Sequence, residues 1–162
     1  MAVEHINRRG QKYSLHQGIT KTGKPKYFFS MKSEGTLVQT IPDGFEIYEN
    51  PNAQVFLQRI QPKIITDDEI ATVDKGIKKF SHLQCRIDIK KDIIYVHTPS
   101  ISYSAMLRFI LFDDMKRIFT TERFCSLGSI DDWIEIGGSD TLQKLVEKYV
   151  KHLGKESFYE LH

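Results

Sequence analysis

The first 32 residues concentrate the cationic and aromatic side chains of this sequence. They hold seven basic residues and one acid, a formal charge of +6, whereas the other 130 residues sum to −4. Lysines interleaved with aromatic rings on a hairpin can hold phosphates, and exposed rings can stack on unpaired bases. The residues that we expect to contact a nucleic acid or another polyanion are Arg8, Arg9, Lys12, Lys21, Lys24, Lys26 and Tyr27.

The alternation of lysines with aromatic residues also has an interpretation that requires no binding partner. In a half-exposed hairpin the aromatic residues turn inward and the lysines between them stay in water. The pattern is therefore compatible with an interface without being specific for one. A third hypothesis uses the aromatic residues themselves as the contact, in a protein–protein module or a homo-oligomer.

Asp88-Ile89-Lys90 is the segment with the residue types for metal-assisted chemistry. An acid two residues before a lysine on a strand can hold a divalent cation and polarise a phosphate. Asp88 and Lys90 are thus the candidate catalytic residues of a metal-dependent phosphodiesterase or nuclease. Roughly two such triplets are expected from this composition, and the chain has two, the other at 114–116. The sequence therefore favours a non-enzymatic protein.

Metal and thiol chemistry have few candidates. His82 and Cys85 form the one close pair of potential ligands, and whether His97 joins them across a hairpin depends on the turn length. No paired C-x-x-C motif occurs, so we predict no metal site and no cofactor. The two cysteines, Cys85 and Cys125, are too few for a disulfide framework, which favours a reducing, cytoplasmic location.

Composition and hydropathy predict a folded protein without membrane segments. Hydrophobic residues make up 40% of the chain and aromatic residues 11%, enough for a core. The longest apolar run, around 110–112, is bounded by charges and is far shorter than the about 20 residues of a membrane span. No apolar stretch follows the first residues as it would in a secretory signal.

Strands are needed to position the basic residues. Residues 12–16 and 25–30 predict a hairpin with Thr22-Gly23-Lys24 near its tip. A second hairpin, formed by 45–49 and 54–58, surrounds the turn-forming segment Asn50-Pro51-Asn52-Ala53.

Two helices and a sheet are expected from the rest of the chain. Thr66-Asp67-Asp68-Glu69 is a capping box before an apolar stripe, in which Gly76 is a misfit that costs about 1 kcal/mol. A second stripe runs from Leu142 to Leu153, with Ser139 expected as its cap and Gly154 as its end. The intervening strand candidates are 85–89, 93–97, 105–112, 117–124 and 133–136, and the apolar run 105–112 predicts a central strand covered on both faces.

These elements define an α+β fold, with N-terminal β-hairpins followed by an antiparallel sheet and two packed helices. The expected regions are 1–62, with the basic hairpin, and 63–162, and the sequence leaves open whether they form one domain or two. The leading hypothesis is a non-enzymatic protein that binds nucleic acid or another polyanion.

A resemblance accompanies this interpretation. The segments 13–29 and 41–51, with Ser129-Ile130-Asp131-Asp132-Trp133 and the tail at 154–161, together resemble bacterial proteins with no assigned function, over most of the chain. The resemblance implies no catalytic residues. By composition, the first hairpin is also similar to the basic hairpins that open DNA recombinase arms.

Overall fold

The computed structural model describes residues 2–127 and 130–162 and is broadly α+β, as the sequence predicts, with more β-structure than expected. The chain divides into two compact units, Met1–Gln61 and Pro62–His162. None of the helices in the described ranges combines the length and apolar character that crossing a membrane requires.

The N-terminal unit is made of strands. Their bounds are β1 Glu4–Ile6, β2 Lys12–Ile19, β3 Pro25–Ser30, β4 Thr36–Leu37, β5 Phe45–Glu49 and β6 Val55–Arg59. β2 pairs with β3 along one edge and with β1 and β4 along the other, while β5 and β6 form a separate antiparallel hairpin. β2 extends three residues beyond the predicted end, because Gly18 continues the strand opposite Lys26 instead of opening the turn.

Polar contacts supplement a small apolar core in this unit, whose buried hydrophobic residues are Leu15, Ala53 and Val55. The buried carboxamide of Asn7 donates to Gln11 Oε1 and to the Ala53 carbonyl, both at 2.9 Å, and accepts from the amides of Arg9 and Gln11. A buried amide stabilises a fold only when it is satisfied in this way.

The C-terminal unit is an antiparallel sheet with two helices. Its elements are α1 Asp67–Phe80, β7 Arg86–Lys90, β8 Ile93–Pro99, β9 Tyr103–Asp113, β10 Ile118–Leu127, β11 Ile130–Thr141, α2 Leu142–Tyr149 and the 3₁₀ turns Val150–His152 and Glu156–Glu160. The strand order β11-β10-β9-β8-β7 makes β9 the central strand. The prediction that β9 is covered on both faces is wrong. Leu107 and Phe109 are fully buried, but Phe112 is 70% exposed, because alternation turns it to the other face.

Helix α1 begins at the predicted capping box. Thr66 Oγ1 accepts from the Glu69 amide at 3.2 Å, and the Thr66 amide donates to Glu69 Oε1 at 2.9 Å. Arg117 supports this end of the helix by donating to Glu69 Oε2 at 3.0 Å and to the Ile64 carbonyl at 3.0 Å. The glycine that looked like a misfit is required by packing, since a Cβ on Gly76 would lie 2.0 Å from Val146 Cγ1 of α2.

The start of α2 differs from the prediction. Ser139 does not cap the helix, because β11 continues through Ser139 to Thr141 and the helix begins directly at Leu142 without a side-chain cap. Gly154, the predicted end, has φ +77° and follows the 3₁₀ turn that extends α2. The tail then docks. Phe158 is 1% exposed, and Arg123 Nε donates to the Leu161 carbonyl at 2.8 Å.

Candidate nucleic-acid interface

The register of β2 and β3 determines which predicted residues share a surface. His16 pairs with Phe28 and Gly18 with Lys26, and residues paired across antiparallel strands lie on the same face. Alternate residues along each strand extend this face. We call it the lysine face, formed by Lys12, Ser14, His16, Gly18, Lys26, Phe28 and Ser30.

Tyr27 does not belong to the lysine face. It pairs with Gln17 on the opposite face, where it is half-buried and lines a cavity of about 450 Å³ with Phe45 and Leu57 of the second hairpin. The aromatic ring that accompanies Lys26 is therefore Phe28, which our predicted site omitted. Because residues two apart on a strand lie on the same face, the position of Lys26 in the sequence is the signal that identifies Phe28 as its neighbour.

Phe28 and His16 form a stacked pair on the lysine face. Their ring centroids are 5.3 Å apart with an interplanar angle of 14°. Phe28 is 40% exposed, and Lys26 Nζ lies 5.7 Å from its ring centroid. The face thus presents one aromatic surface with an ammonium beside it.

His16 is buried beneath this surface, with an exposed fraction of 3%. Its Nδ1 donates to the Ser14 carbonyl at 2.8 Å, and its Nε2 is buried without a hydrogen-bond partner among the described residues. In the neutral ring this arrangement makes Nε2 an acceptor without a donor. Such atoms are rare in folded proteins and each requires an explanation.

A cavity of about 350 Å³ adjoins the histidine on the same sheet. Its lining residues are His16, Gln17, Phe28, Ser30, Lys32, Glu34, Gly35 and Thr36. Lys32 contributes a cationic donor and Glu34 an anionic acceptor beside the aromatic ring. Gly35 adopts φ +94°, and a Cβ there would lie 3.7 Å from His16 Cδ2, so the loop passes close to the imidazole.

Two of the predicted cationic residues hold the unit's own structure. Arg8 Nε lies 3.3 Å from Glu49 Oε2, and the Arg8 guanidinium also donates to the Asn50 carbonyl. Lys12 Nζ lies 3.0 Å from Glu4 Oε2. These contacts reduce the charge that Arg8 and Lys12 can offer to a partner.

Glu49 anchors the first of these contacts. It accepts from His5 Nε2 at 2.9 Å and from the Arg8 amide at 3.0 Å. Burial acts to raise the pKa of Glu49, but the hydrogen bonds from His5 and Arg8 and the charge of Arg8 outweigh it, so the pKa lies below its ordinary value. Glu49 is therefore ionised at neutral pH and retains Arg8.

The other predicted cations have no carboxylate partner within residues 2–127 and 130–162. They are Arg9, Lys21, Lys24 and Lys26, and the neighbouring Lys32 shares this property. Lys21 and Lys24 lie in the turn, which is closed by Thr20 N to Lys24 O at 2.8 Å and by Gly23 N to Thr20 O at 2.9 Å. The hairpin tip and the lysine face therefore carry three of the four predicted cations that have no carboxylate partner among the described residues.

The residues of the enzymatic alternative lie in the C-terminal unit. Asp88 is 7% exposed and pairs with Tyr95, while the ammonium of the exposed Lys90 lies 5.9 Å from the Tyr95 ring centroid. Across the described residues, no group of three or more His, Cys, Asp or Glu side chains is placed to hold a metal ion. Catalysis by Asp88 and Lys90 stays a prediction.

The three possible thiol and imidazole ligands have different surroundings. Cys85 packs against the core, and burial raises its pKa despite a hydrogen bond with Ser81. His82 lies beside Gly154, and His97 pairs with Arg86. Burial is the main cause that lowers the pKa of His97, with nearby Lys90 adding to it and Asp88 opposing it.

A second group of cations and aromatic rings lies on β8 to β11. Arg108 Nε donates to Glu122 Oε1 at 2.7 Å, and its guanidinium carbon lies 4.3 Å from the Trp133 ring centroid. Tyr95 meets the same indole edge-on at 6.0 Å. Here the cation already has a carboxylate and a ring as partners.

The chain matches no protein-family model, no curated protein and no solved structure. The resemblance to bacterial proteins therefore stays a prediction that rests on the segments quoted above.

Proposed function

We propose that this protein is a non-enzymatic binding protein whose basic hairpin contacts the phosphates of a nucleic acid or another polyanion. The observation that carries the proposal is the set Lys21, Lys24 and Lys26, which have no carboxylate partner among the described residues. Cations that are not neutralised within their own fold attract polyanions and release the counterions condensed on them.

The contacts within the unit divide the predicted site into two groups. Arg8 and Lys12 support the fold through Glu49 and Glu4. Lys21 and Lys24 at the hairpin tip and Lys26 on the lysine face are exposed, and they carry the proposed phosphate contacts. We expect substitutions in the second group to change affinity with little change in stability.

A fluorescence titration with mixed-sequence single- and double-stranded DNA and RNA, at low and moderate salt, tests the proposal. Affinity should fall linearly with salt on logarithmic axes, with a slope of about 0.7–0.9 for each phosphate contact. Reversing Lys21, Lys24 and Lys26 to Glu should abolish binding.

The matched control reverses three exposed lysines of the C-terminal unit, Lys144, Lys151 and Lys155, to Glu. This variant has the same net charge as the hairpin variant, so it separates a local site from general attraction. Unchanged affinity in the hairpin variant, or equal losses in both variants, would contradict the proposal.

We also propose that the protein works in the reducing cytoplasm. Cys85 and Cys125 are both free thiols, which supports that location. Trapping thiols with an alkylating reagent at lysis should label both cysteines fully, and a disulfide-linked form would contradict this location.

A further inference from the structure

Phe28 has the placement of a stacking surface. Its neighbours Tyr27 and Phe29 are half-buried, whereas Phe28 is 40% exposed on the face that carries Lys26. The stack on His16, at 5.3 Å and 14°, holds the phenyl ring in one orientation before any partner arrives. A preoriented ring loses little side-chain entropy on binding, and bases of any sequence can stack on it.

The cavity beside this ring suits a flat heteroaromatic group. It has a volume of about 350 Å³ and is open to solvent, so a planar ring can enter it from outside. Lys32 and Glu34 supply a donor and an acceptor at its wall, and Ser30 and Thr36 add hydroxyls. Base edges present both donors and acceptors, whereas sulfated sugars and polyphosphates have no planar aromatic ring to stack on Phe28.

His16 adds a second reason to expect a ligand here. Its Nε2 has no hydrogen-bond donor within residues 2–127 and 130–162, and its ring lines the cavity. A ligand N–H that reaches this nitrogen would satisfy a buried acceptor, an interaction that favours binding strongly. The loop at Gly35 lies against the imidazole, so a modest shift of this loop would expose the nitrogen.

We propose that the lysine face binds single-stranded nucleic acid, with one base in the cavity against Phe28 and His16 and the flanking phosphates on Lys26 and Lys32. The inference rests on the proposed function and narrows its ligand from polyanions in general to strands with unpaired bases. A duplex is disfavoured because its bases are stacked on one another and cannot enter the cavity.

The test measures the affinity of the full chain for five probes by fluorescence anisotropy. They are a single-stranded DNA of about 12 nucleotides, the RNA of the same sequence, the DNA duplex, an abasic strand of equal length, and heparin. We expect both base-containing single strands to bind about tenfold more tightly than the abasic strand, as one stacked base contributes. The DNA and RNA probes show which sugar is preferred.

Phe28→Ala should weaken binding of the base-containing strands about tenfold and leave the abasic strand, heparin and the salt dependence unchanged. Phe28→Tyr, which keeps a ring, should retain the affinity and guards against a folding defect in the alanine variant. The matched control is Phe56→Ala, since Phe56 is 47% exposed and is also stacked, on Tyr48 at 6.4 Å. It should bind like the parent chain.

Four results overturn the inference. Equal affinity for the base-containing and abasic strands, or a Phe28→Ala loss that extends equally to heparin, would leave phosphate binding intact without a base site. Preference for the duplex would mean that the hairpin reads a groove instead. Absence of binding to all five probes at low salt would remove the proposed function as well.

Discussion

The two units of this chain are stabilised in different ways. Among the described residues, the core of the C-terminal unit contains sixteen buried residues from α1, the sheet, α2 and the tail, whereas the N-terminal unit buries three hydrophobic side chains. The N-terminal unit adds the Asn7 and Glu49 contacts, which connect the segment after β1 to the second hairpin. A small strand assembly thus relies on specific polar bonds where a larger core relies on apolar burial.

Both units use some of their cations to hold the fold. In the C-terminal unit Arg108 is neutralised by Glu122 and covered by Trp133, and Arg117 is held by Glu69. In the N-terminal unit Arg8 and Lys12 are paired, but the lysines of the tip and Lys26 remain without a carboxylate among the described residues. Exposed lysines without a carboxylate partner among the described residues also occur in the C-terminal unit, as at Lys144, Lys151 and Lys155. What distinguishes the N-terminal unit is the local concentration of charge, with seven basic residues and one acid in residues 1–32.

The largest effect is expected from matched truncations in the two cores. Leu107 and Leu15 are both fully buried, so Leu107→Ala and Leu15→Ala remove the same side chain. Leu→Ala substitutions cost about 2–5 kcal/mol, and more where the surroundings cannot relax. We expect the unfolding free energy to fall by about 4 kcal/mol for Leu107→Ala and by about 2 kcal/mol for Leu15→Ala, since the smaller core can relax more easily around the missing side chain.

Hydrogen exchange, measured separately for peptides from each unit, gives the loss of unfolding free energy in both variants. Trp133 is the single tryptophan, and its fluorescence during urea unfolding gives an independent value for the C-terminal unit. A larger loss for Leu15 than for Leu107 would reverse the comparison.

The fold could be predicted where local chemistry determines it. The capping box starts α1, and the turn formers close both hairpins. The missed features depend on distant segments. Ser139 looked like a cap because the pairing of Ile136 and Asp140 with β10, which carries β11 past Ser139, leaves no local signal. Gly76 looked like a defect because the neighbouring Val146 is 70 residues away in sequence.

The candidate site shows the same limit. Alternation alone separates Tyr27 from Lys26, but which face is covered depends on the second hairpin, which meets Tyr27 through Phe45 and Leu57. The burial of His16 depends on β4, a strand of two residues that carries no recognisable pattern. The residue types at the site were therefore readable from the sequence, whereas their faces were not.

A smaller loss is expected when the buried amide of the N-terminal unit is removed. Asn7→Ala deletes four hydrogen bonds and leaves the Ala53 carbonyl and two amides without this partner. Unsatisfied buried groups cost about 1–3 kcal/mol, so we expect a loss of about 2–3 kcal/mol confined to the N-terminal unit. Faster exchange in β2 with unchanged exchange in β9 would support this, and Gln39→Ala, an exposed amide, is the control. If Asn7→Ala loses less unfolding free energy than the control, apolar burial alone stabilises the unit.

Acid should destabilise each unit through one carboxylate. The pKa of Glu69, like that of Glu49, lies below the ordinary 4.5. Burial acts to raise the Glu69 pKa, but hydrogen bonds from Arg117 and Thr66 and the charge of Arg117 outweigh it. A folded pKa below the unfolded value gives stability that is present above pH 4.5 and lost as pH falls through the folded pKa. Because the N-terminal unit has the smaller core, it should open first.

Substitution of the two carboxylates distinguishes their contributions. Glu49→Gln should lower the stability of the N-terminal unit at pH 7 and flatten the decline of its stability as the pH falls below 4.5. Glu69→Gln should do the same for the C-terminal unit only. Hydrogen exchange of β5 and α1 peptides, measured as a function of pH, gives the stability of the two units in each variant. If the decline of stability in acid is the same in a variant as in the parent chain, the carboxylate replaced in that variant is not linked to unfolding.

The smallest effect on stability is expected at the three lysines whose substitution should change binding most under the proposed function. Replacing Lys21, Lys24 and Lys26 with Gln removes no ion pair among the described residues, so the stability of the N-terminal unit should change by less than about 0.5 kcal/mol. Relief of the repulsion among three like charges on one hairpin should raise the stability by an amount that fades with salt, while loss of the contact between Lys26 and the Phe28 ring should lower it slightly. Exchange of β2 and β3 amides at low and high salt measures it. A loss of unfolding free energy above about 1 kcal/mol would mean that these lysines hold the hairpin together, as Arg8 and Lys12 support the fold. Weaker polyanion binding after their substitution would then follow from unfolding. A near-zero change would leave electrostatic contact with the partner as the reason for any lost affinity.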